Sequence, residues 1–184
     1  VGLLGIAEYF KNKPHRRGLR FVWCGSEERG LLGAKAYVAA HEEELSKIVL
    51  NVNLDMIGCI MGRFIACCTT EEKLVHYLQY LGNITGFGLD AKDGVYSSDS
   101  TPFADKGVPA LSFARIAPHN TATIHNSYDT IAVMSASQMQ KDIDFINQFV
   151  DIMANAACCP VKREIPQKMK DKLDVYLNRK RDEG

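Results

Sequence analysis

The chain has 184 residues, 46% apolar and 24% charged, which excludes disordered and fibrous classes and suits one globular domain with a sizeable core. Its 22 Lys and Arg offset 22 Asp and Glu, and a net formal charge of zero argues against a nucleic-acid footprint or an electrostatic membrane anchor. No apolar run approaches the roughly 20 residues that a membrane-spanning helix needs.

The first element is a helix in which Leu3, Leu4, Ala7 and Phe10 recur at helical spacing and Pro14 closes the segment. Val1 already lies inside that amphipathic pattern, so an N-terminal part of the domain is expected ahead of it. Gly18 to Cys24 reads as a strand rich in β-branched and aromatic residues, broken by Gly25-Ser26. Glu27 and Glu28 follow it, just ahead of a helix from about Leu31 to His41. Ile48 to Leu54 is the next strand and ends at Asp55, and Arg63 to Cys68 is a further one. Thr70 followed by Glu71-Glu72-Lys73 signals a helix start, carried on by Leu74, Leu78 and Leu81 to Gly82 or a little beyond.

Gly86 to Ser100 reads as loop, with three glycines and little periodicity. Thr101 to Lys106 is a short helix with Pro102 in its first turn, and Val108 to Ala114 a strand. A polar loop from Arg115 to Thr130 carries His119 and His125. Ser135 or Ser137 then caps a long helix to about Ala157. Strands alternating with helices imply βαβ crossovers and a three-layer α/β/α domain around a mainly parallel sheet. A catalytic domain is expected over residues 1–157, and residues 158–184 stand apart. In that tail Met169, Leu173, Tyr176 and Leu177 form a narrow apolar stripe on a basic helix. The stripe suits either docking on its own domain or a homo-oligomer contact with a second copy. The six cysteines form no Cys-x-x-Cys, and three lie in apolar runs, which favours a reducing, cytoplasmic compartment over a disulfide framework or a structural zinc site. An extracellular setting stays open.

Glu27-Glu28, Asp55 and His125 each follow a strand, so they belong to one carboxyl edge of the sheet, where ligands of open α/β folds bind. Two carboxylates and an imidazole are a zinc-type donor set, and a free carboxylate beside such a site can act as a general base. Taken singly, each has an ordinary structural reading: a solvated first turn, a turn aspartate, a hydrogen-bonded loop histidine.

Four motifs in order carry a resemblance: Glu27-Glu28-Arg29-Gly30-Leu31-Leu32-Gly33, Asn53-Leu54-Asp55-Met56-Ile57-Gly58, Ser98-Asp99 ahead of Pro102-Phe103, and Ile124-His125-Asn126 with Asp129-Thr130. From about Val1 to Ala157 the chain resembles the co-catalytic di-zinc aminopeptidases that share a domain with glutamate carboxypeptidase II and the transferrin receptor. The resemblance implies a zinc-exopeptidase fold of the phosphorylase/hydrolase-like type, two zinc ions and a peptide substrate. It implies Glu27 as general base, Glu28 and His125 as ligands of one zinc, and Asp55 as a ligand of the other. Asp99 and Asp129 are implied as supports of the ligands or the loop, and Tyr96 or Tyr128 as the oxyanion-stabilising phenol.

The chain also departs from that pattern. The family's first ligand histidine, in a His-x-Asp motif, and its bridging aspartate have no counterpart here, because His15 lies in a basic loop with no such motif. The chain as it stands is therefore expected to hold part of a dinuclear site and to be inactive alone. Ser100 stands where many relatives carry His, and Ile124 where some carry Tyr. Glutaminyl cyclases, with one zinc and an intramolecular acyl transfer, and non-catalytic interaction modules of the transferrin-receptor type are the competing readings. A substrate pocket would draw on 86–100 and 115–126, with Phe87, Tyr96 and Ile116 hinting at apolar character.

Overall fold

Aliphatic and aromatic residues at period two build the centre of the molecule. In the computed structural model, which describes residues 1–117 and 124–180, β1 (Asn51–Asp55), β2 (Arg63–Thr69), β3 (Leu89–Asp93) and β4 (Ala110–Ile116) form one sheet in the order β1-β4-β2-β3. Two pairings are parallel, β1 with β4 and β2 with β3, and the central β2–β4 pairing is antiparallel.

Side chains that alternate along β4 face two different layers. Leu111 and Phe113 join Phe64, Ala66 and Cys68 of β2 in the larger core. That core is closed by α1 (Gly2–Phe10), α4 (Glu72–Thr85) and α6 (Ala136–Asn155) through Ile6, Phe10, Leu74, Leu78, Phe145 and Phe149. Its aromatic rings interlock, with Phe64 stacked on Phe113 at 5.6 Å and Phe145 on Phe87 at 4.4 Å between centroids. The opposite face carries α2 (Leu32–Ala40), α3 (Glu42–Leu45), α5 (Thr101–Asp105) and α7 (Gln167–Tyr176), packed in two smaller apolar clusters. The three-layer α/β/α expectation therefore holds.

Several expected elements shift. Residues 18–24 run without regular strand structure, because an extended segment becomes a strand only beside a partner, and β1 has β4 on one side alone among the described residues. An open groove lies between the two, lined by Leu19, Phe21, Trp23, Val52 and Leu54. Conversely, Leu89–Asp93 lies in what reads as loop yet forms β3, since pairing with β2 outweighs its poor intrinsic preference. Phe87 stacks in the core rather than lining a substrate pocket. Thr70 does not cap α4; Glu71 takes the cap position without a side-chain bond, and Gly86 ends the helix at φ 66°. At α6 the expected cap holds, Ser135 Oγ accepting from the Gln138 amide at 3.2 Å.

Gly33 is required by close approach. A Cβ there would lie 2.6 Å from both the amide nitrogen and the carbonyl oxygen of Gly25, whose oxygen accepts from the Gly33 amide at 2.9 Å. Backbone cannot yield as a flexible side chain can. Gly33→Ala should lower stability by about 1–3 kcal/mol, the usual cost of overpacking, read from urea denaturation midpoints.

Candidate metal centre

The turn after residues 18–24 is tight and strained. Ser26 takes a left-handed conformation (φ 57°), as does Leu31 (φ 60°), and between them Glu27–Arg29 forms one 3-10 turn. The Glu27 carbonyl closes it by accepting from the amides of Gly30 at 3.0 Å and Leu31 at 2.8 Å. The helix thus begins at Leu32, close to the expected start, and the 3-10 turn ahead of it gives the neighbouring acids different surroundings: Glu27 is half-buried and Glu28 exposed. Met56, directly after Asp55, and His125 are left-handed as well, at φ 53° and 65°. Non-glycine residues held there cost energy, and their grouping around one place marks a constrained site.

Glu28 and His125 meet directly, Oε2 to Nε2 at 2.7 Å. They line a shallow pocket with Ile124, Asn126 and Asp129. The loop is fixed by the Asn126 side chain, whose Oδ1 accepts from the Tyr128 amide at 2.8 Å, and by the Asn126 carbonyl, which accepts from the Asp129 amide at 3.1 Å. Asp55 ends β1, and because β1 and β4 run parallel, its edge of the sheet is the one from which the His125 loop leaves.

Burial, then the charges of Glu28, Asp55 and Asp99, push the Glu27 carboxyl above its ordinary range. Burial, then Asp99 and Glu28, does the same to Asp55. Asp99 is raised by burial, and its Oδ1 is buried with no hydrogen-bond partner. The charges of Glu28, Asp55 and Asp99 thus all act on Glu27, and among these acids Glu28 is the one in contact with the imidazole. Tyr96 joins them: burial and the nearby charge of Asp55 push its phenol up to about 12. Tyr128, the other candidate phenol, is 77% exposed.

The Asp99 segment reaches this group across the face of the sheet rather than from its edge. Ser98 and Ser100 both turn their hydroxyls onto Ser112 in the middle of β4, at 2.7 and 2.8 Å, and lie 2.9 Å from each other. All three are buried, and the ring satisfies them mutually. With both neighbours anchored there, Asp99 faces Cys24, whose thiol is raised to about 11 by burial and then by the Asp99 charge. Sequence reading misses this ring and the Cys24 contact. Adjacent serines flanking an aspartate are the only local sign, and their shared partner lies over ten residues away.

Imidazole nitrogen and carboxylate oxygens are a zinc-type donor set, and an unpartnered buried carboxylate oxygen among other acids calls for a cation. The residues present fit zinc in chemistry. Among the described residues, however, no three His, Cys, Asp or Glu side chains come close enough together to hold an ion as they stand. His119 lies outside the described residues.

The chain is 28% identical to Aminopeptidase YwaD of Bacillus subtilis across 80% of its own length and 34% of that protein. It superimposes on the structure of BSAP, a zinc aminopeptidase from Bacillus subtilis, with a TM-score of 0.73 at 25% identity, covering 90% of this chain and 43% of that one. A glutaminyl cyclase from an Acidobacteriales bacterium shares the fold at TM-score 0.64 and 20% identity, over 82% of this chain and 59% of that one. The chain spans about a third of the length of the first relative and less than half of the first structure. Residues 1–150 match the model of peptidase family M28, and the chain belongs to that family.

Proposed function

We propose that these residues form part of the active centre of a zinc aminopeptidase that removes N-terminal residues from peptides. The observation that carries the reading is the direct Glu28–His125 contact with Glu27, Asp55 and Asp99 gathered behind it. In this reading Glu28 and His125 hold one zinc and Asp55 the other. Zinc, when bound, polarises the scissile carbonyl and makes water easier to deprotonate.

The chain's own residues do the rest. Glu27 is half-buried and adjoins the site without entering the Glu28–His125 contact, which suits a group that accepts a proton from water and hands it to the departing amine. Its raised pKa brings it nearer to working pH than a solvated carboxylate, which suits it to holding that proton between the two transfers. Tyr96 stays protonated at neutral pH and lies close enough to feel Asp55 and Glu27, so its hydroxyl can donate to a developing oxyanion. Asp129 borders the pocket beside His125 and helps to shape the loop.

A glutaminyl cyclase has the same fold, so the assay must separate the reactions. A chain carrying the complete ligand set should release amine from leucine anilide, lose that activity on chelation and regain it with zinc. A peptide beginning with Gln should be shortened rather than cyclised. Accumulation of the cyclised peptide without amine release would replace this reading with the cyclase one.

A further inference from the structure

The helix α7 lies beyond residue 150, where the family match ends, and its apolar stripe is taken up inside the chain. Met169 and Leu173, with Ile165 ahead of them, are at most 3% exposed and pack on Ala104 of α5 and Ala110 of β4, beside Val95. Polar contacts continue the same line. Lys168 Nζ meets Asp93 Oδ2 at 2.6 Å, at the end of β3. The Tyr176 hydroxyl lies 2.6 Å from Ser97 Oγ. Arg179 grips Asp105 with both ends of its guanidinium, at 2.6 and 2.8 Å. These contacts fall at the start, the middle and the end of one stretch, 93–105, which is the stretch that carries Tyr96 and Asp99.

We infer that α7 and the residues after it form a brace that holds segment 93–105 against the sheet and so positions Tyr96 and Asp99 at the metal centre. The hydroxyl ring of Ser98, Ser100 and Ser112 pins the segment from inside, and α7 pins it from outside. Between the two, residues 95–99 have no regular structure of their own, so their placement depends on these anchors together with the Thr101 hydroxyl, which donates to the Tyr96 carbonyl at 2.9 Å. The anchors differ in strength. An exposed hydroxyl pair contributes little alone, whereas a bidentate Arg–carboxylate pair fixes direction as well as distance. Tyr176 and Arg179 are positioning residues, acting on the site only through the segment they hold.

This inference rests on the metal-centre reading for its consequence but not for its existence, and two measurements separate them. In the intact chain, Tyr176→Phe combined with Arg179→Ala should raise amide hydrogen exchange at residues 95–99 roughly tenfold while the thermal midpoint stays put, because the apolar stripe remains. Zinc affinity, titrated with zinc alone in a chain that carries the complete ligand set, should weaken roughly tenfold, the lower end of what disturbed outer partners cost, and Arg179→Lys should recover part of it. Unchanged exchange at 95–99 would overturn the brace. Faster exchange with unaltered zinc affinity would show a brace that does not serve the site and would overturn the positioning claim. A parent chain that carries the complete ligand set and still binds no zinc would sink the metal-centre reading together with the positioning claim, while exchange would still decide the brace.

Discussion

Glu27→Gln is expected to leave zinc content unchanged and to cut peptide hydrolysis by about 10²–10⁴-fold, the contribution of a positioned proton carrier. The expectation comes from the division between two adjacent acids. Glu28 touches His125 at 2.7 Å, whereas Glu27 is half-buried at the 3-10 turn and, among the described residues, pairs with no cation. An amide matches a carboxylate in shape, so the turn, held by backbone bonds from the Glu27 carbonyl, survives the change. Glu28→Gln should behave oppositely, weakening zinc binding and with it every later step. Comparing the two variants by metal analysis and anilide hydrolysis, both in a chain with the complete ligand set, isolates the proton carrier from the ligand. Full hydrolysis by the Glu27→Gln variant would remove Glu27 from the mechanism, and loss of zinc from it would make Glu27 a ligand instead.

How far the sequence discloses this site depends on what each residue needs. Glu27, Glu28 and Asp55 stand out because each follows an apolar run, and a run's end is visible locally, whereas His125 stands out by its Ile124-His125-Asn126 motif in a polar loop. Asp99 and Tyr96 sit in a segment with no periodicity, and their approach to Asp55 is set by partners remote in the chain: Ser112 on one side, Tyr176 and Arg179 on the other. No local pattern encodes such contacts. Strand β3 escapes reading for a related reason. Leu89-Asp-Ala-Lys-Asp93 alternates weakly and contains two acids, yet β2 offers it a full parallel register. The stretch 18–24 fails the other way. It has every strand residue but, among the described residues, no strand paired with it, and β structure belongs to pairs rather than to single segments. The apolar stripe on α7 is legible as amphipathic, but whether it meets its own domain or a second copy is decided by the small surface of Ala104 and Ala110 that receives Met169 and Leu173.

Replacing Asp142 with Ala should destabilise the protein by about 3–5 kcal/mol, the cost of leaving a buried charge without its partner. Asp142 is fully buried in α6, and Arg115 of β4 is nearly so, at 10% side-chain exposure. The carboxylate is satisfied on both oxygens. Oδ2 accepts from the Gly58 amide at 2.8 Å and from Arg115 Nε at 3.2 Å, while Oδ1 accepts from Arg115 Nη2 and from Gln138 Nε2 at 2.9 Å. The guanidinium also donates to the Gly62 carbonyl at 2.7 Å. One ion pair therefore ties a helix, a strand and the turn that follows Asp55. Truncation strands the guanidinium and the Gly58 amide together, and neither reaches water easily. Replacing the pair jointly, with Asp142→Leu and Arg115→Met, should recover part of the loss by removing the orphaned charge, with about 1–3 kcal/mol still missing for each backbone group left unpaired. Urea denaturation of the two single variants and the pair gives the coupling energy directly. Additive single losses would mean that the charges do not act as a unit. The coupling would also reach the metal centre, because the turn that Asp142 and Arg115 secure at Gly58 and Gly62 begins at left-handed Met56, directly after Asp55.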